Sequence, residues 1–587
     1  MNLKDSLYKV LHIDLTKKSF RIDTREELFN KYLGGTGVAT QLLLEECPAG
    51  IDPLSPENPI ILAISPLTGV YPFASKTVAM FKSPHTGNLG ESHAGGRSAI
   101  ALRMAGYGAI VVKGKSDLPI YISIEADKVY FRDAATLWGI RNTYNVGNLI
   151  RDREKFPGLR CIMLIGQAGE NLCSYASVVT ETFRHFGRLG LGAVFGSKML
   201  KGIAIAGKSV IDIPKKKDFT VLYKEIFDKA VESSVMKKYH DLGTAGNILP
   251  LNLLGALPTR NLLQSKFEGA DKISGEAIAE KHLGRRVACS HCPTGCVHLA
   301  AIREPYEDEP YFYKTSVVAY DYELLYALGS MIGISDSEEL LKLIDKVDKY
   351  CFDIMTMGVV LSWATEMFEK KLITLKETGG LELKWGEPKT YGLAVEKIID
   401  PPNDFYKALS KGVVFAAEIY GGKDFALAFG KNEMAGYHTG PAAYLGFLLG
   451  ARHSHLDNAG YSLDQTVMIN EDPTPQQVVD KLISEESFRQ IMSSCSFCFF
   501  ARGIYNIDLI SRALLTVGIK LTPEQLLLMG KEIYLNKYKF KFREGFEFKK
   551  LEIPLRITET KDPTGKITLD YIKEGISYAE KVIKPVE

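Results

Sequence analysis

The densest chemistry in this chain lies in one short segment, Cys289-Ser-His-Cys292-Pro-Thr-Gly-Cys296. Three thiolates at this spacing, with Pro and Gly bending the backbone between them, can wrap one face of a small inorganic cluster. A [4Fe–4S] cube needs a fourth thiolate, commonly from a distant segment. Cys495 and Cys498, in Ser493-Ser-Cys-Ser-Phe-Cys498, are the candidates. Zinc is the competing reading, with His291 or His298 completing four N/S donors. Buried, unliganded thiols are the third. The chain has 9 Cys, an odd number, so they cannot all pair within it. Nine in a chain this long is no disulfide framework. Cys47, Cys161 and Cys173 sit in or beside apolar segments and read as core thiols.

These thiols need a large scaffold, and the composition supplies one. With 587 residues, 46% of them hydrophobic, the chain is long enough for about two to four domains. Lys and Arg number 72 against 70 Asp and Glu, a net charge of +2. That balance excludes a polybasic nucleic-acid binder. The N-terminal stretch carries charges where a secretory signal has its apolar core. The longest nearly apolar run, residues 442–451, falls far short of the ~20 residues of a membrane span. The expectation is a soluble, cytoplasmic protein.

The first third of the chain alternates apolar runs with Gly-, Pro- and Asn-rich turns, which predicts strands at 59–65, 109–112, 120–124, 161–165 and 202–206. Gly34-Gly35-Thr36-Gly37 follows no clear strand and lacks a third glycine in register, so it is not a dinucleotide fingerprint. Residues 192–198 have the wrong spacing for a phosphate loop. The charged run 214–218 reads as a linker. Beyond it helical periodicity takes over. Ser335 with Glu338 reads as a capping box before Leu340, Leu341, Ile344 and Val347. Thr474-Pro475 and Thr522-Pro523 read as helix starts with proline at the first position. No internal repeat is visible. The expected divisions are a β-rich domain over 1–208 and mainly helical domains over 209–415 and 416–587.

Many segments together resemble one family. Leu33-Gly-Gly-Thr-Gly37, Pro53-Leu-Ser-Pro-Glu-Asn58, Ser65-Pro-Leu-Thr-Gly69, Lys82-Ser-Pro-His-Thr-Gly87 and Ala94-Gly-Gly96 come first. Ala105-Gly-Tyr-Gly-Ala-Ile-Val-Val-Lys113, Gly166-Gln-Ala-Gly-Glu-Asn171, Gly192-Ala-Val-Phe-Gly-Ser-Lys198, the three-Cys segment and Arg543-Glu-Gly-Phe546 follow in order. The chain resembles the tungsten-dependent aldehyde:ferredoxin oxidoreductases nearly end to end. The resemblance implies an α+β fold: an N-terminal β-rich domain forming a base under a bis-pterin cofactor, followed by two mainly α-helical domains.

It also implies a site. The [4Fe–4S] ligands fall on Cys289, Cys292, Cys296 and Cys498, with Cys495 the alternative fourth. The family's two Asp-x-x-Gly-Leu-(Asp/Cys) pterin segments align with Asp348-Lys-Tyr-Cys-Phe-Asp353 and with residues 493–498. Asp348, Phe352 and Asp353 would hold one pterin, and Ser493 and Phe499 the other. Cys351 and Phe352 stand where the family has Gly and Leu, and Ser493 where it has an acid. Lys76, His93, Gly95, Gly96, His185, Gly187 and Arg188 would contact pterin and phosphate. The backbone carbonyls of His93 and His185 would take Mg²⁺, a hard cation that prefers oxygen.

Over the metal, Glu323 and His455 would move the proton released when an aldehyde or its hydrate becomes an acid. Tyr437 and His438 would line the pocket, and His453 competes with His455. The glutamate that binds an interfacial iron in some homodimers is Lys342 here, so a homodimer through such an iron is not expected. The implied function is oxidation of aldehydes to carboxylic acids on a tungsten bis-pterin, with molybdenum the other metal such pterins bind. Electrons would leave through the cluster to ferredoxin or a small iron–sulfur subunit. The alternatives are a reductase subunit of a larger complex acting on aromatic thioesters or carboxylates, and a non-catalytic iron–sulfur carrier.

Overall fold

The computed structural model describes residues 7–180, 183–306, 308–309 and 311–584. The first six residues of the N-terminal stretch read above lie outside these. The chain divides into two compact units: Met1–Lys237 with Ala288–Thr294 and Ile483–Glu547, and Lys238–Val287 with Gly295–Leu482 and Phe548–Glu587.

The first unit carries two six-stranded sheets. One is built from β1 (Lys9–Asp14), β2 (Ser19–Thr24), β3 (Ile60–Ala63), β4 (Thr77–Lys82), β5 (Leu89–Ala94) and β6 (Ala109–Lys113), in the order β2-β1-β6-β3-β4-β5. The other is built from β7 (Ile120–Glu125), β8 (Lys128–Asp133), β9 (Leu159–Leu164), β10 (Val178–Thr180), β11 (Arg184–Phe186) and β12 (Leu200–Gly207), in the order β11-β10-β9-β12-β7-β8. Read from its other edge, the second order repeats the first. In each sheet the opening strand of a hairpin pairs in parallel with the last strand, β1 with β6 and β7 with β12. The other pairings are antiparallel.

The two sheets thus share one topology although no repeat is visible along the sequence. Pairing order asks only for apolar runs in the same succession, not for the same residues. Those runs are continuous because both faces of the central strands are covered. Ile60, Leu62, Ile110 and Val112 share one apolar cluster with Ile122, Met163, Ile203 and Ile205.

The strands expected from sequence form within a few residues of their predicted ends. The expected linker at 214–218 is shorter: a helix, Lys216–Glu232, begins inside it because Leu222, Ile226 and Ala230 recur at helical spacing and are buried.

The second unit is mainly helical, with a three-stranded antiparallel sheet of β13 (Leu283–Val287), β14 (Val297–Pro305) and β15 (Tyr313–Tyr320). The helix Ser337–Lys349 is capped by Asp336, which accepts from the Glu339 N–H, not by Ser335. A short carboxylate on an extended backbone is a strong N-cap, and its charge suits the helix dipole. Thr474 and Thr522 do open helices, each with a reciprocal bond to a Gln three residues on. Among the described residues no helix is long and apolar enough to cross a membrane.

Candidate functional site

In the first unit the short turn segment from Phe73 to Lys76 ties two cysteine loops together. The Phe73 N–H donates to the His291 carbonyl (3.0 Å), and the Phe73 carbonyl accepts from the Cys498 N–H (3.1 Å). Lys76 N–H bonds the Ser496 carbonyl (3.0 Å), and Ser290 N–H bonds the Gly96 carbonyl (3.0 Å). A Cβ on Gly95 would lie 2.6 Å from Cys289 Sγ and 3.3 Å from Lys76 Nζ. The glycine is there because the thiol needs its place. Phe73, His291 and Ser496 all have left-handed backbones, with φ of +68°, +57° and +59°. Such strain in bulky residues gathers where the surroundings over-determine a functional geometry.

Burial alone would raise the Cys289 thiol, but Arg184, Lys76 and the Gly96 backbone bring it below its ordinary value, toward the thiolate a metal requires. Cys495 is fully buried and its thiol is pushed far up by that burial. Cys498, half-buried, is the better donor of the two. Cys296 follows just past this unit's boundary at Thr294. Among the described residues no three His, Cys, Asp or Glu side chains gather as one bare ion would need. Cys47, Cys161 and Cys173 are buried, as core thiols should be.

The sheet duplication places the expected phosphate loops. His93 on β5 pairs across from Val78 of β4, and His185 on β11 from Val179 of β10. They are counterparts in the two sheets, and the edge strands β5 and β11 lie against each other. His93 Nε2 is 2.7 Å from Glu91 Oε1. Glu91 also accepts from Thr36 Oγ1 (2.8 Å) and pairs with Lys537 Nζ (2.5 Å).

The residues around these loops fit an anionic, polar ligand. Lys76, Arg184 and Arg188 supply positive charge. The buried hydroxyls of Thr180 and Ser496 have no hydrogen-bond partner among the described residues. Thr180 Oγ1 lies 3.4 Å from where a Gly96 Cβ would be, and a Cβ on Gly187 would face open space. Buried polar groups left without protein partners are where ligand oxygens are held. The Phe499 ring lies between His93 (5.9 Å) and the Arg489 guanidinium (5.3 Å).

The two segments expected to hold pterins are built alike. In one, Cys351 N–H bonds the Asp348 carbonyl (2.9 Å) and Phe352 N–H bonds that of Val347 (3.4 Å). In the other, Ser496 N–H bonds the Ser493 carbonyl (3.1 Å) and Phe497 N–H bonds that of Met492 (2.9 Å). Both are Schellman turns ending helices, Ser337–Lys349 and Pro475–Ser494. Cys351 and Ser496 keep the left-handed backbone that glycine would favour, with φ of +60° and +59°. Asp348 is buried, so it is not a solvated helix acid. Asp353 caps the helix Ile354–Glu369 through Met355 N–H (3.1 Å) and Thr356 Oγ1 (2.6 Å). Ser493 explains the glycine motif that sequence left without a role: a Cβ on Gly35 would lie 2.0 Å from the Ser493 carbonyl.

In the second unit Glu323 and His455 meet. Glu323 sits in the first turn of the helix Tyr322–Leu328. His455 opens the helix His455–Asn458 beneath a Ser454–Asp457 capping box. His455 Nε2 is 3.2 Å from Glu323 Oε1, both well shielded from solvent. The Gly436 N–H reaches Glu323 Oε2 (3.4 Å), and the Tyr437 hydroxyl also bonds Glu323. Burial, then the Glu323 charge, pushes the Tyr437 phenol well above its ordinary value, so it stays a proton donor.

His438 is committed elsewhere, with Nδ1 2.5 Å from the Tyr444 hydroxyl and Nε2 3.0 Å from the Thr560 carbonyl. His453 bonds the Phe447 carbonyl through Nδ1 (3.0 Å), and its ring occupies the space a Gly430 Cβ would need. Lys342 pairs with Glu338 and Glu339 (3.0 Å each) and with Glu304 (3.8 Å). Sequence reasoning missed Glu91, Thr180, Arg184, Arg489, Ser496 and Lys537. Arg184 adjoins His185 in one motif and was within reach. Lys537 sits on a helix face with nothing in its sequence to single it out.

Comparison with known proteins gives this geometry its context. Residues 10–207 match the family model for the aldehyde ferredoxin oxidoreductase N-terminal domain, and 222–580 the model for domains 2 and 3. The chain is 31% identical over 572 residues to the tungsten-containing aldehyde ferredoxin oxidoreductase of Thermococcus kodakarensis, covering 95% of this chain and 92% of that one. It is 30% identical over 427 residues to a Pyrococcus furiosus protein named aliphatic sulfonate oxidoreductase, WOR-like subunit, covering 70% of this chain and 66% of that one. A solved structure described as the active site complex BamBC of benzoyl coenzyme A reductase shares the fold, with TM-score 0.84 and 21% identity over 99% of this chain and 95% of that one. With both family models matched across nearly its whole length, the chain belongs to the aldehyde ferredoxin oxidoreductase family of tungsten-containing oxidoreductases.

Proposed function

We propose that this protein oxidises an aldehyde to a carboxylic acid on a tungsten bis-pterin and sends the electrons through a [4Fe–4S] cluster to ferredoxin or an iron–sulfur subunit. The observation that carries this is the contact between Cys289 Sγ and Gly95, with Lys76 beside both. It sets a thiol of the cluster motif against the loop expected to bind the cofactor's phosphates. When bound, the pterin-held metal supplies two-electron chemistry, and the cluster supplies single-electron exit.

The protein's own residues do the rest. Lys76, Arg184, Arg188, Thr180 and Ser496 hold anionic and polar edges. The His93 and His185 carbonyls suit Mg²⁺. Cys289, Cys292, Cys296 and Cys498 are the cluster thiolates. Asp348 and Phe352 on one turn, and Ser493 and Phe499 at the other, receive the pterins. Glu323 and His455 accept and pass on the proton that leaves as the acid forms. Tyr437 steadies the Glu323 carboxylate.

Two measurements test this. Metal analysis of protein purified without air should give tungsten near one per chain with about four irons, the content of one cube. His455→Ala should keep both metals and lower aldehyde-dependent dye reduction by roughly 10²–10⁴-fold. Iron without tungsten or molybdenum would leave an electron carrier. Unchanged turnover in the variant would remove the proton role from His455. Activity on an aromatic thioester but on no aldehyde would favour the reductive reading, which the shared fold with the benzoyl coenzyme A reductase complex keeps in view.

A further inference from the structure

We infer that Tyr461, a residue with no motif around it, is a positioning residue that holds Tyr437 against Glu323 and so sets the proton-transfer pair. This rests on the reading of Glu323 and His455 given above. The Tyr461 ring stacks on Tyr437 with centroids 4.2 Å apart and planes 19° from parallel. It also lies 6.1 Å from the His455 ring, and Tyr437 lies 5.3 Å from the same ring. Tyr322 packs on Tyr437 at 5.2 Å and bonds the Gly436 carbonyl through its hydroxyl. Tyr437 is thus clamped between two aromatic rings while its phenol donates to Glu323.

The backbone around Tyr461 is built to fix its ring. Ala459 takes a left-handed conformation, with φ of +53°, at the corner between the short helices His455–Asn458 and Gly460–Leu463. A Cβ on Gly460 would sit 2.0 Å from the Ala442 carbonyl, so only glycine lets this corner press onto the helix Pro441–Leu449. A π-helical turn, Asp464–Met468, follows at once. Such turns are rare and gather at functional sites. Asp464 then locks the corner down, accepting from Thr439 Oγ1 (2.8 Å) and from the Ala442 and Ala443 N–H groups (2.9 Å each). A left-handed alanine, an obligatory glycine and a π turn within ten residues are a costly way to place an ordinary surface tyrosine. They place one that keeps Tyr437 in register with Glu323.

The test is a double-mutant cycle on the metal-loaded enzyme, with kcat, KM and the kcat–pH profile as readouts. Tyr437→Phe removes a donor from the Glu323 carboxylate, which raises its pKa and moves the acid limb of the profile to higher pH. Tyr461→Leu should shift that limb the same way and lower kcat roughly 2- to 10-fold, the rate equivalent of one stacked aromatic pair, with KM unchanged. Tyr461→Phe keeps the ring and should restore kcat to within about twofold. The Tyr437→Phe/Tyr461→Leu double variant should be no worse than Tyr437→Phe alone.

Independent, multiplying losses in the double variant, a change in KM only, or Tyr461→Phe as impaired as Tyr461→Leu would overturn the inference. Tungsten content and thermal unfolding verify folding, and Tyr461→Met takes the place of Tyr461→Leu if the latter does not fold. His455→Ala separates the two levels. Full activity there removes the proton-pair reading itself. Impairment there with multiplying losses at 437 and 461 removes only the role of Tyr461.

Discussion

Cys351 and Ser496 hold the same left-handed backbone, φ +60° and +59°, in Schellman turns with the same two closing hydrogen bonds. Each turn ends a long helix, and each stands where the family pattern has glycine. The turn geometry is retained without the residue that makes it cheap. A left-handed conformation costs an L-residue about 1–2 kcal/mol, partly offset by the extra unfolded-state entropy glycine brings. Ser496→Gly should therefore stabilise the metal-free protein by about 0.5–1 kcal/mol in a denaturant titration. Loss of the buried, unpartnered Ser496 hydroxyl acts in the same direction. Cys351→Gly should gain less, because a fully buried thiol is lost with the strain. Destabilisation by Ser496→Gly would show that the hydroxyl is needed even without cofactor.

Gly95 is the second case where one missing methyl matters. Its Cβ would lie 2.6 Å from Cys289 Sγ. Gly95→Ala should lower iron per chain by displacing that thiol, measured by metal analysis on anaerobically purified protein. Gly147→Ala is the control. Its Cβ would meet only a Leu164 methyl at an ordinary 3.5 Å, and iron should not change. Full iron content in Gly95→Ala would place Cys289 outside the cluster.

Glu91 and Lys537 form an ion pair at 2.5 Å, with side chains 1% and 3% exposed. Removing one partner leaves a buried charge. Lys537→Met should cost about 3–5 kcal/mol, and adding Glu91→Gln should recover part of that loss. An equal loss in the single and double variants would mean that packing, not charge, is what Lys537 contributes.

Asp464 gives a pH dependence of known sign. Burial, only partly offset by its hydrogen bonds from Thr439, Ala443 and Ala442, raises its carboxyl to about 7 from an ordinary 3.8. Between those values the unfolded chain has lost this proton and the folded chain keeps it. Its contribution to stability is therefore complete below the unfolded value and is lost as pH rises through about 7. Thermal midpoints from pH 4 to 8 should decline less steeply in Asp464→Asn than in the unaltered protein. Parallel profiles would mean that Asp464 is ionised throughout.

The parts of this protein that depend on local order along the chain are legible in its sequence. The apolar runs become strands because strand pairing needs little more than their succession. The caps at Thr474 and Thr522 and the close-spaced Cys289, Cys292 and Cys296 are local in the same sense. What the tertiary structure decided is whatever depends on approach between distant residues. Ser335 against Asp336 as a cap was settled by which side-chain oxygen reaches a backbone N–H. That the His455 ring, and not that of His453, meets Glu323 is a matter of tertiary approach in the same way. The glycines at 35 and 95 acquired their reasons only when the Ser493 carbonyl and the Cys289 sulfur came within a methyl's reach. Beyond the paired His-x-Gly at 93–95 and 185–187, the duplicated sheets leave little trace in residue identity, because a fold repeats through pairing order while side chains diverge to fill different neighbours. Tyr461 shows the limit most plainly. Its value lies in one ring face against another, and no spacing along the chain encodes that.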